Sequence, residues 1–421
     1  MLSARAIAMR ARYALISSLN FIVFTIMDFL DFLFCFFYLF LDRFLEENPV
    51  PCYCYVKCED EDELSESLCG RSNLFRKMVA CCRRRRKRNG VLRPSFRRWS
   101  DCGCSECASW MEEEQKLHFV VKKAFQDKRE DPQKDSIENV IFIHGFLSSS
   151  LVWVETVFPN ISENAGLSLL AVDLLGFGKS PKPMDCLYRL KDHLDMIEKS
   201  LIEPFHLESF HLVAHSMGCI IALALAAKYP KHIKSITLVG VPYLSLKSTG
   251  EKASLTAMNA MCEKKIWPPL AFSSAIMTWY EHLGRTTCLI FCRNHAFWEW
   301  LMKLFTRDIH FMLRDMTRHT HHSAWHTMHN VICGEAKFLD NYLETVKREG
   351  IPVKIIQGDK DQVTPLEYGF KLKEKLPHSE LQIIPNADHQ TVFLGREKEF
   401  TGELQQFWLS SIQCKSASKV A

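Results

Sequence analysis

Apolar positions along this chain fall into three regimes. From Ala14 to Leu41 they are nearly continuous; from residue 46 to 115 they are sparse among cysteines and arginines; from Lys116 onward they come in short runs. The runs LHFVVKKAF, NVIFIHG, SLLAVDLLG, SFHLVAH, SITLVG, PVKIIQGD and LQIIPNA read as strands, with helical stretches between most of them. Strand and helix alternating in this way predict a largely parallel sheet covered by helices on both faces, the α/β class. Between SITLVG and PVKIIQG, residues 241–350 are far longer than an ordinary connection and read as a helical cap. The expected organisation is a hydrophobic signal or membrane-anchor segment (1–45), a Cys/Arg-rich linker (46–115), a core (116–240 and 351–421) and the inserted cap.

Arg5, Arg10 and Arg12 precede the first apolar run, the charge layout of a signal sequence or signal anchor. Asp28 and Asp31 interrupt it on one helical face, and each would cost about 2.5 to 3.5 kcal/mol at a bilayer centre. FLFCFFYLFL, after them, is aromatic enough to lie at an interface. An uncleaved or late-cleaved targeting segment is expected, placing the rest outside the cytosol; an intracellular anchor at a membrane surface is the alternative.

In HLVAHSMGCIIALALAAKYP a strand stops at His215 and an Ala-rich helix starts after Ser216. A serine at such a corner projects from the sheet with a helix N-terminus beneath it, which is how a nucleophile is mounted. The Met217 amide, at that N-terminus, is a candidate oxyanion donor. His215, the strand neighbour, is expected to project to the other side and to pack or hydrogen-bond. GFGKS at 176–180 lacks the first P-loop glycine, since Asp173 stands there; Asp173 is expected to hold a turn. His322, His326 and His329 have helical spacing without a matching Cys or carboxylate pattern, and read as polar lining.

The chain has 421 residues, 47% hydrophobic and 24% charged, enough for one large catalytic domain with appendages. A net charge of +4 owes much to RRRRKR at 83–88 and gives no argument for nucleic acid; the run reads as a solvated linker, or as a contact for anionic lipid or an acidic wall polymer. Of 17 cysteines, nine (Cys52, Cys54, Cys58, Cys69, Cys81, Cys82, Cys102, Cys104, Cys107) lie in the linker. Disulfides, zinc, or free or lipidated thiols are all open; a single C-x-x-C, Cys104 to Cys107, falls short of a paired zinc pattern. No cofactor or metal is expected. Asn160-Ile161-Ser162 is a weak glycosylation signal.

HGFLSSSLVW, AVDLLGFGKSPKP, LVAHSMGCIIALALAAKYP, GDKDQVTP and NADH stand where α/β-hydrolases keep their working motifs, and the chain resembles that fold from about Asn139 to Trp408. With the Cys/Arg-rich leader, WSDCGCSEC, LKDHLDMIEKS and WHTMHN, it more closely resembles the plant BODYGUARD proteins. That resemblance implies cuticle formation and lysophospholipase or cutin-polymerising acyltransferase activity. Ser216 is the expected nucleophile, His389 the base and Asp361 the orienting acid, in the chain order expected for the fold. Asp359 is an alternative acid, and Asp388 is expected to cap or salt-bridge. By the family pattern Phe146 supplies the second oxyanion donor, with His144 and Gly145 shaping its loop. Ala214 departs from that pattern, standing where glycine is usual; being small, it is expected to preserve the turn.

The expected activity is a serine carboxylester hydrolase or acyltransferase on a lipid ester, at a membrane or cell-wall surface in the secretory pathway. Trp267, Phe272, Trp279, Tyr280, Phe291, Phe297, Trp298, Trp300, Leu301 and Phe305 would give the cap an apolar surface for an acyl chain. Epoxide hydrolysis would want an aspartate at the corner. A ligand-sensing or scaffolding protein on the same fold is the non-enzymatic alternative.

Overall fold

The computed structural model describes residues 4–46, 52–54, 65–71, 73–75, 97–112, 116–124, 137–243, 254, 257–258 and 268–417. Its centre is a seven-stranded sheet: β1 (Phe119–Lys122), β2 (Glu138–Ile143), β3 (Leu167–Val172), β4 (Phe210–His215), β5 (Ile233–Val239), β6 (Val353–Gly358) and β7 (Glu380–Ile384). Each expected strand is present, in the order β1-β3-β2-β4-β5-β6-β7. Only β1 pairs antiparallel; the other pairings are parallel, as crossover helices require.

The described helices are α1 (Ala4–Leu45), α2 (Ser105–Glu112), α3 (Leu151–Thr156), α4 (Leu190–Ile197), α5 (Met217–Lys228), α6 (Pro268–Thr278), α7 (Glu281–Ile290), α8 (His295–Lys303), α9 (Phe311–Asp315), α10 (His321–Thr327), α11 (Leu339–Arg348), α12 (Leu366–Lys375) and α13 (Glu397–Ala417). Side-chain alternation along β4 feeds two cores. Phe210, Leu212 and Ala214 enter one with α5 and α11; Val213 enters the other with Trp153, Phe393, Phe400 and Trp408. The α5 helix is apolar all round because it lies between the sheet and α11. By packing, α11 belongs with the core although it closes the expected cap; α6 to α10 form the cap proper.

The leader differs from a freestanding anchor. Along α1, Met27, Asp31, Cys35, Tyr38 and Asp42 make a buried stripe at helical spacing. Asp31 Oδ1 accepts the His282 and Leu283 amides at 2.8 and 3.3 Å, capping the N-terminus of α7. Asp42 takes both Arg285 guanidinium nitrogens at 2.6 and 2.7 Å, and Tyr38 meets Thr286 at 2.9 Å. The second half of α1 is thus docked on the cap, and Asp31, which looked like a misfit in an apolar run, is a docking residue. Asp28 bonds to the linker, its Oδ2 accepting the Leu74 amide at 3.3 Å.

The histidine-rich helix is a seam as well. His322 donates to the Cys186 carbonyl (2.9 Å), His326 meets Tyr53 (3.2 Å) and His329 meets Ser67 (2.8 Å). Burial lowers the pKa of all three, so they are neutral stitches between the cap, the linker and the loop before α4. Of the expected cap aromatics, Tyr280 and Trp279 pack on α1, while Phe291, Phe297, Trp300 and Phe305 are exposed. Trp267 lies outside the described residues, as does the Phe272 side chain.

Candidate active site

Three strand ends in the parallel sheet converge on one place. Every position of β4 is buried, so the chain leaves the sheet on a rigid platform, and Ser216 follows with φ 51° and ψ −123°. That conformation costs a non-glycine residue about 1 to 3 kcal/mol and survives where the surroundings over-determine it. Here they do. The Ser216 amide donates to the Val239 carbonyl at 2.8 Å. A Cβ at Gly218 would stand 2.6 Å from the His144 carbonyl oxygen, so glycine lets α5 lie against the end of β2. Ala214 is fully buried and the sharp turn forms with it in place of glycine.

Asp361 sits in the turn after β6. Its Oδ1 accepts the Val363 and Thr364 amides, both at 2.8 Å; its Oδ2 accepts Thr364 Oγ1 at 2.7 Å, Gln357 Nε2 at 3.2 Å and His389 Nδ1 at 2.8 Å. Burial pushes this carboxyl up, but the His389 and Thr364 interactions outweigh it and the net shift is downward. Asp359 does not reach His389: its Oδ1 is buried without a hydrogen bond among the described residues. Asp388 caps its own loop through the Gln390 and Thr391 amides at 3.0 and 2.9 Å.

His389 leaves β7 through that loop. With Nδ1–H committed to Asp361, Nε2 is the nitrogen left for proton transfer. The ring lies on Gly240, at the end of β5, where an added Cβ would be 3.0 Å from Cε1. Among the described residues the Ser216 hydroxyl makes no hydrogen bond; in free hydrolases this bond is often long and tightens with substrate.

His215 is more involved than its strand position suggests. Its Nε2 donates to the His389 carbonyl at 3.0 Å and the two rings are 4.6 Å apart, so it holds the His389 loop in place. Burial, then the neighbouring His389, press its pKa down to about 3, which keeps it neutral. Nothing local in the sequence signals this contact, made across the sheet. Thr364 was equally hidden, though it stands three residues after Asp361, where a turn hydroxyl can reach back.

The loop after β2 crosses above the corner. A Cβ at Gly145 would stand 3.1 Å from Ser216 Cβ. His144 is fully buried; its Nε2 accepts the Leu174 amide at 2.9 Å, so Nδ1 carries the proton and donates to the Gly145 carbonyl at 2.7 Å. Phe146 packs its ring on Phe177 at 5.8 Å. Among the described residues neither the Phe146 nor the Met217 amide donates a backbone hydrogen bond. Asp173 anchors the surroundings. Its Oδ1 accepts the Ser150 amide at 2.6 Å, and its Oδ2 the Lys179 amide at 2.8 Å and His118 Nδ1 at 3.0 Å. The turn-holding role expected of it is the one it has.

Comparison with known proteins agrees with this geometry. Residues 138–264 match the family model described as alpha/beta hydrolase fold. Over 415 residues the chain is 48% identical to the Arabidopsis thaliana protein named "Probable lysophospholipase BODYGUARD 4", covering 94% of this chain and 98% of that one. The chain belongs to the BODYGUARD family. The Arabidopsis proteins BODYGUARD 5 and BODYGUARD 1, whose names carry the same activity, are 42% and 38% identical, covering 94% and 95% of those relatives. As a BODYGUARD protein it has an α/β-hydrolase core with a helical cap, and at the edge of its sheet the bonded His389–Asp361 pair follows strand ends near the one that carries Ser216.

Proposed function

We propose that this protein is a serine carboxylester hydrolase or acyltransferase acting on lipidic esters such as a lysophospholipid or a cutin precursor. The observation that carries the proposal is the His389–Asp361 bond of 2.8 Å set beside a serine on a strained strand-to-helix corner. Ser216 Oγ attacks the ester carbonyl carbon and its proton passes to His389 Nε2, while the Phe146 and Met217 amides hold the oxyanion. Collapse breaks the ester bond, and the leaving alkoxide takes the proton from His389. Water or an acceptor alcohol then attacks the acyl enzyme with His389 again as base, regenerating Ser216. The lipid substrate is supported by the names of the relatives, and a part in cuticle development by the family resemblance.

We place the protein in the secretory pathway, at a membrane or cell-wall surface. The apolar leader and the disulfide at Cys69 support that placement. Flotation with anionic vesicles tests it: binding lost on changing Phe36, Phe37 and Phe40 to serine supports the surface reading, and binding unchanged by them overturns it.

The central test is labelling with a fluorophosphonate ester probe. Wild type is expected to label, and Ser216→Ala, Asp361→Asn and His389→Ala to lose labelling. A folded wild type that does not label would overturn the enzyme and favour a ligand-sensing or scaffolding role.

A further inference from the structure

Six cysteines that the acyl-transfer chemistry leaves unused gather into two sets, each with one histidine. In the first, Cys102, Cys104 and Cys107 at the start of α2 meet His295 of α8; in the second, Cys35 of α1 and Cys52 and Cys54 of the linker meet His282 of α7. Within each set all four donor atoms lie within 4.8 Å of one another. We propose that these are two structural zinc sites, each of three thiolates and one imidazole, which clasp the N-terminal leader onto the cap.

The spacing of the donor atoms is the first argument. Zinc bonds of about 2.3 Å to sulfur and 2.0 to 2.1 Å to nitrogen, at tetrahedral angles, put ligand sulfurs about 3.8 Å apart and sulfur and nitrogen about 3.6 Å apart. Cys35 Sγ and Cys52 Sγ are 3.8 Å apart. His295 Nε2 is 3.5 Å from Cys104 Sγ and 3.4 Å from Cys107 Sγ. The Cys54 Sγ to His282 Nδ1 edge, at 4.0 Å, is looser. A disulfide would need sulfurs about 2.05 Å apart.

Supporting contacts are the second argument. The Cys104 amide points at Cys102 Sγ (3.5 Å) and the Cys107 amide at Cys104 Sγ (3.4 Å), donors that stabilise thiolates in a tight turn. His295 offers Nε2 to the sulfurs while Nδ1 meets Glu299 at 3.1 Å, and Arg318 ties Glu299 to Glu106 of α2. A carboxylate on the second ring nitrogen fixes the tautomer a metal ligand needs. At the other site Asp31 caps α7 beside the ligand ring, but its Oδ1 lies 3.5 Å from His282 Nδ1, the nitrogen that faces Cys54, so this contact is no counterpart of the Glu299 one.

Third, the donor set selects the ion. Three soft sulfurs and an imidazole, with four donors and no open position, are the ligands of structural zinc. Binding releases the thiol protons and its free energy becomes folding free energy. The leader gains most from that, because the apolar cluster joining α1 to the cap is small: Met27, Ala275 and Tyr280 with a few half-buried neighbours. A third group, Cys288, Cys292 and His319, supplies three donors among the described residues and is not counted in the proposal.

The test is metal content and coordination of the full-length protein, purified under reducing conditions from zinc-replete cells without a histidine tag or chelator. Two zinc ions per chain are expected, with Cys104→Ser/Cys107→Ser and Cys52→Ser/Cys54→Ser each lowering the count to one. X-ray absorption on wild type should show three sulfurs and one nitrogen per zinc, and needs no variant to fold. Fewer than one zinc in five chains, a shell of nitrogen and oxygen only, or non-reducing mass spectrometry showing these cysteines in disulfides would overturn the proposal.

Discussion

Replacing Asp173 by asparagine tests how the loops around Ser216 are held. The carboxylate is almost wholly buried and takes three donors, the Ser150 and Lys179 amides and His118 Nδ1. Burial pushes its pKa up, but His118, His144 and the Lys179 amide bring it down to about 2, against an ordinary 3.8. At about 1.36 kcal/mol per pKa unit, that difference is worth about 2 kcal/mol. Asparagine keeps one acceptor oxygen and turns an NH2 toward one set of donors, adding about 1 to 3 kcal/mol for a buried group left unsatisfied. A total loss of about 3 to 5 kcal/mol at pH 7 is expected from urea unfolding of wild type and Asp173→Asn. The sign with pH follows from the lowered value: the ionic part is fully present above the unfolded pKa and is lost as pH falls through the folded one. The gap between the two proteins should therefore narrow by about 1 kcal/mol at pH 3 and close further toward pH 2. A gap under about 0.5 kcal/mol at pH 7, or one that does not change between pH 6 and pH 3, would refute the reasoning.

Gly145→Ala adds a methyl 3.0 Å from His215 Nδ1 and 3.1 Å from Ser216 Cβ; ester turnover should fall about tenfold to a hundredfold with unfolding midpoints little moved, and wild-type rates would sink the oxyanion-loop placement. Thr364→Val removes a 2.7 Å bond to Asp361 Oδ2, and a few-fold loss of kcat is expected, smaller than for Asp361→Asn in the same assay. Asp315 is buried, which raises its pKa to about 7 despite the Ser149 hydroxyl donating to it at 2.6 Å. An acid with a raised folded pKa loses stability as pH climbs from about 4 to 7, so Asp315→Asn should be the more stable protein at pH 8 by about 1 to 3 kcal/mol and lose that advantage by pH 4; a variant less stable at pH 8 would contradict this.

Seven strands, and the turns at strand ends that carry Ser216, Asp361 and His389, were legible in the sequence because each rests on local pattern: an apolar run and a turn at its end. What stayed hidden depends on contacts distant in sequence. Asp31 reads as a misfit in an apolar helix until its partners on α7, some 250 residues on, are in view. Cysteine spacing within 102–107 shows only one C-x-x-C, because the fourth donor of that cluster, His295, comes from the cap. The length of the stretch between β5 and β6 pointed to a cap but not to which side its aromatics face: Tyr280 turns to α1, whereas Phe297 and Trp300 are exposed. Even at the site, the His215 bond to the His389 carbonyl joins strand ends that no local pattern relates.

The docking of α1 also bears on the proposed membrane placement. Ala14–Leu45 is long and apolar enough to cross a bilayer, yet from Val23 onward the helix packs on the cap, with Asp31 and Asp42 bonded to α7. Ahead of that contact only Ala14 to Ile22 remain as undocked apolar helix, about 14 Å at 1.5 Å per residue, against a hydrocarbon core of about 30 Å. A docked α1 is therefore too short to span. Pulling the rest free would carry Asp31 and Asp42 into lipid without their partners, at about 2.5 to 3.5 kcal/mol each on insertion scales, and would leave the Arg285 guanidinium bare. Lying in the interface costs neither. Phe29, Leu33, Phe36, Phe37, Phe40 and Phe44 are exposed on the flank away from the cap, an apolar face that the proposed surface placement would bury. Because the buried stripe of that helix also carries Cys35, one of the proposed zinc ligands, the same clasp would hold the cap of the enzyme at the surface from which a lipid ester is taken.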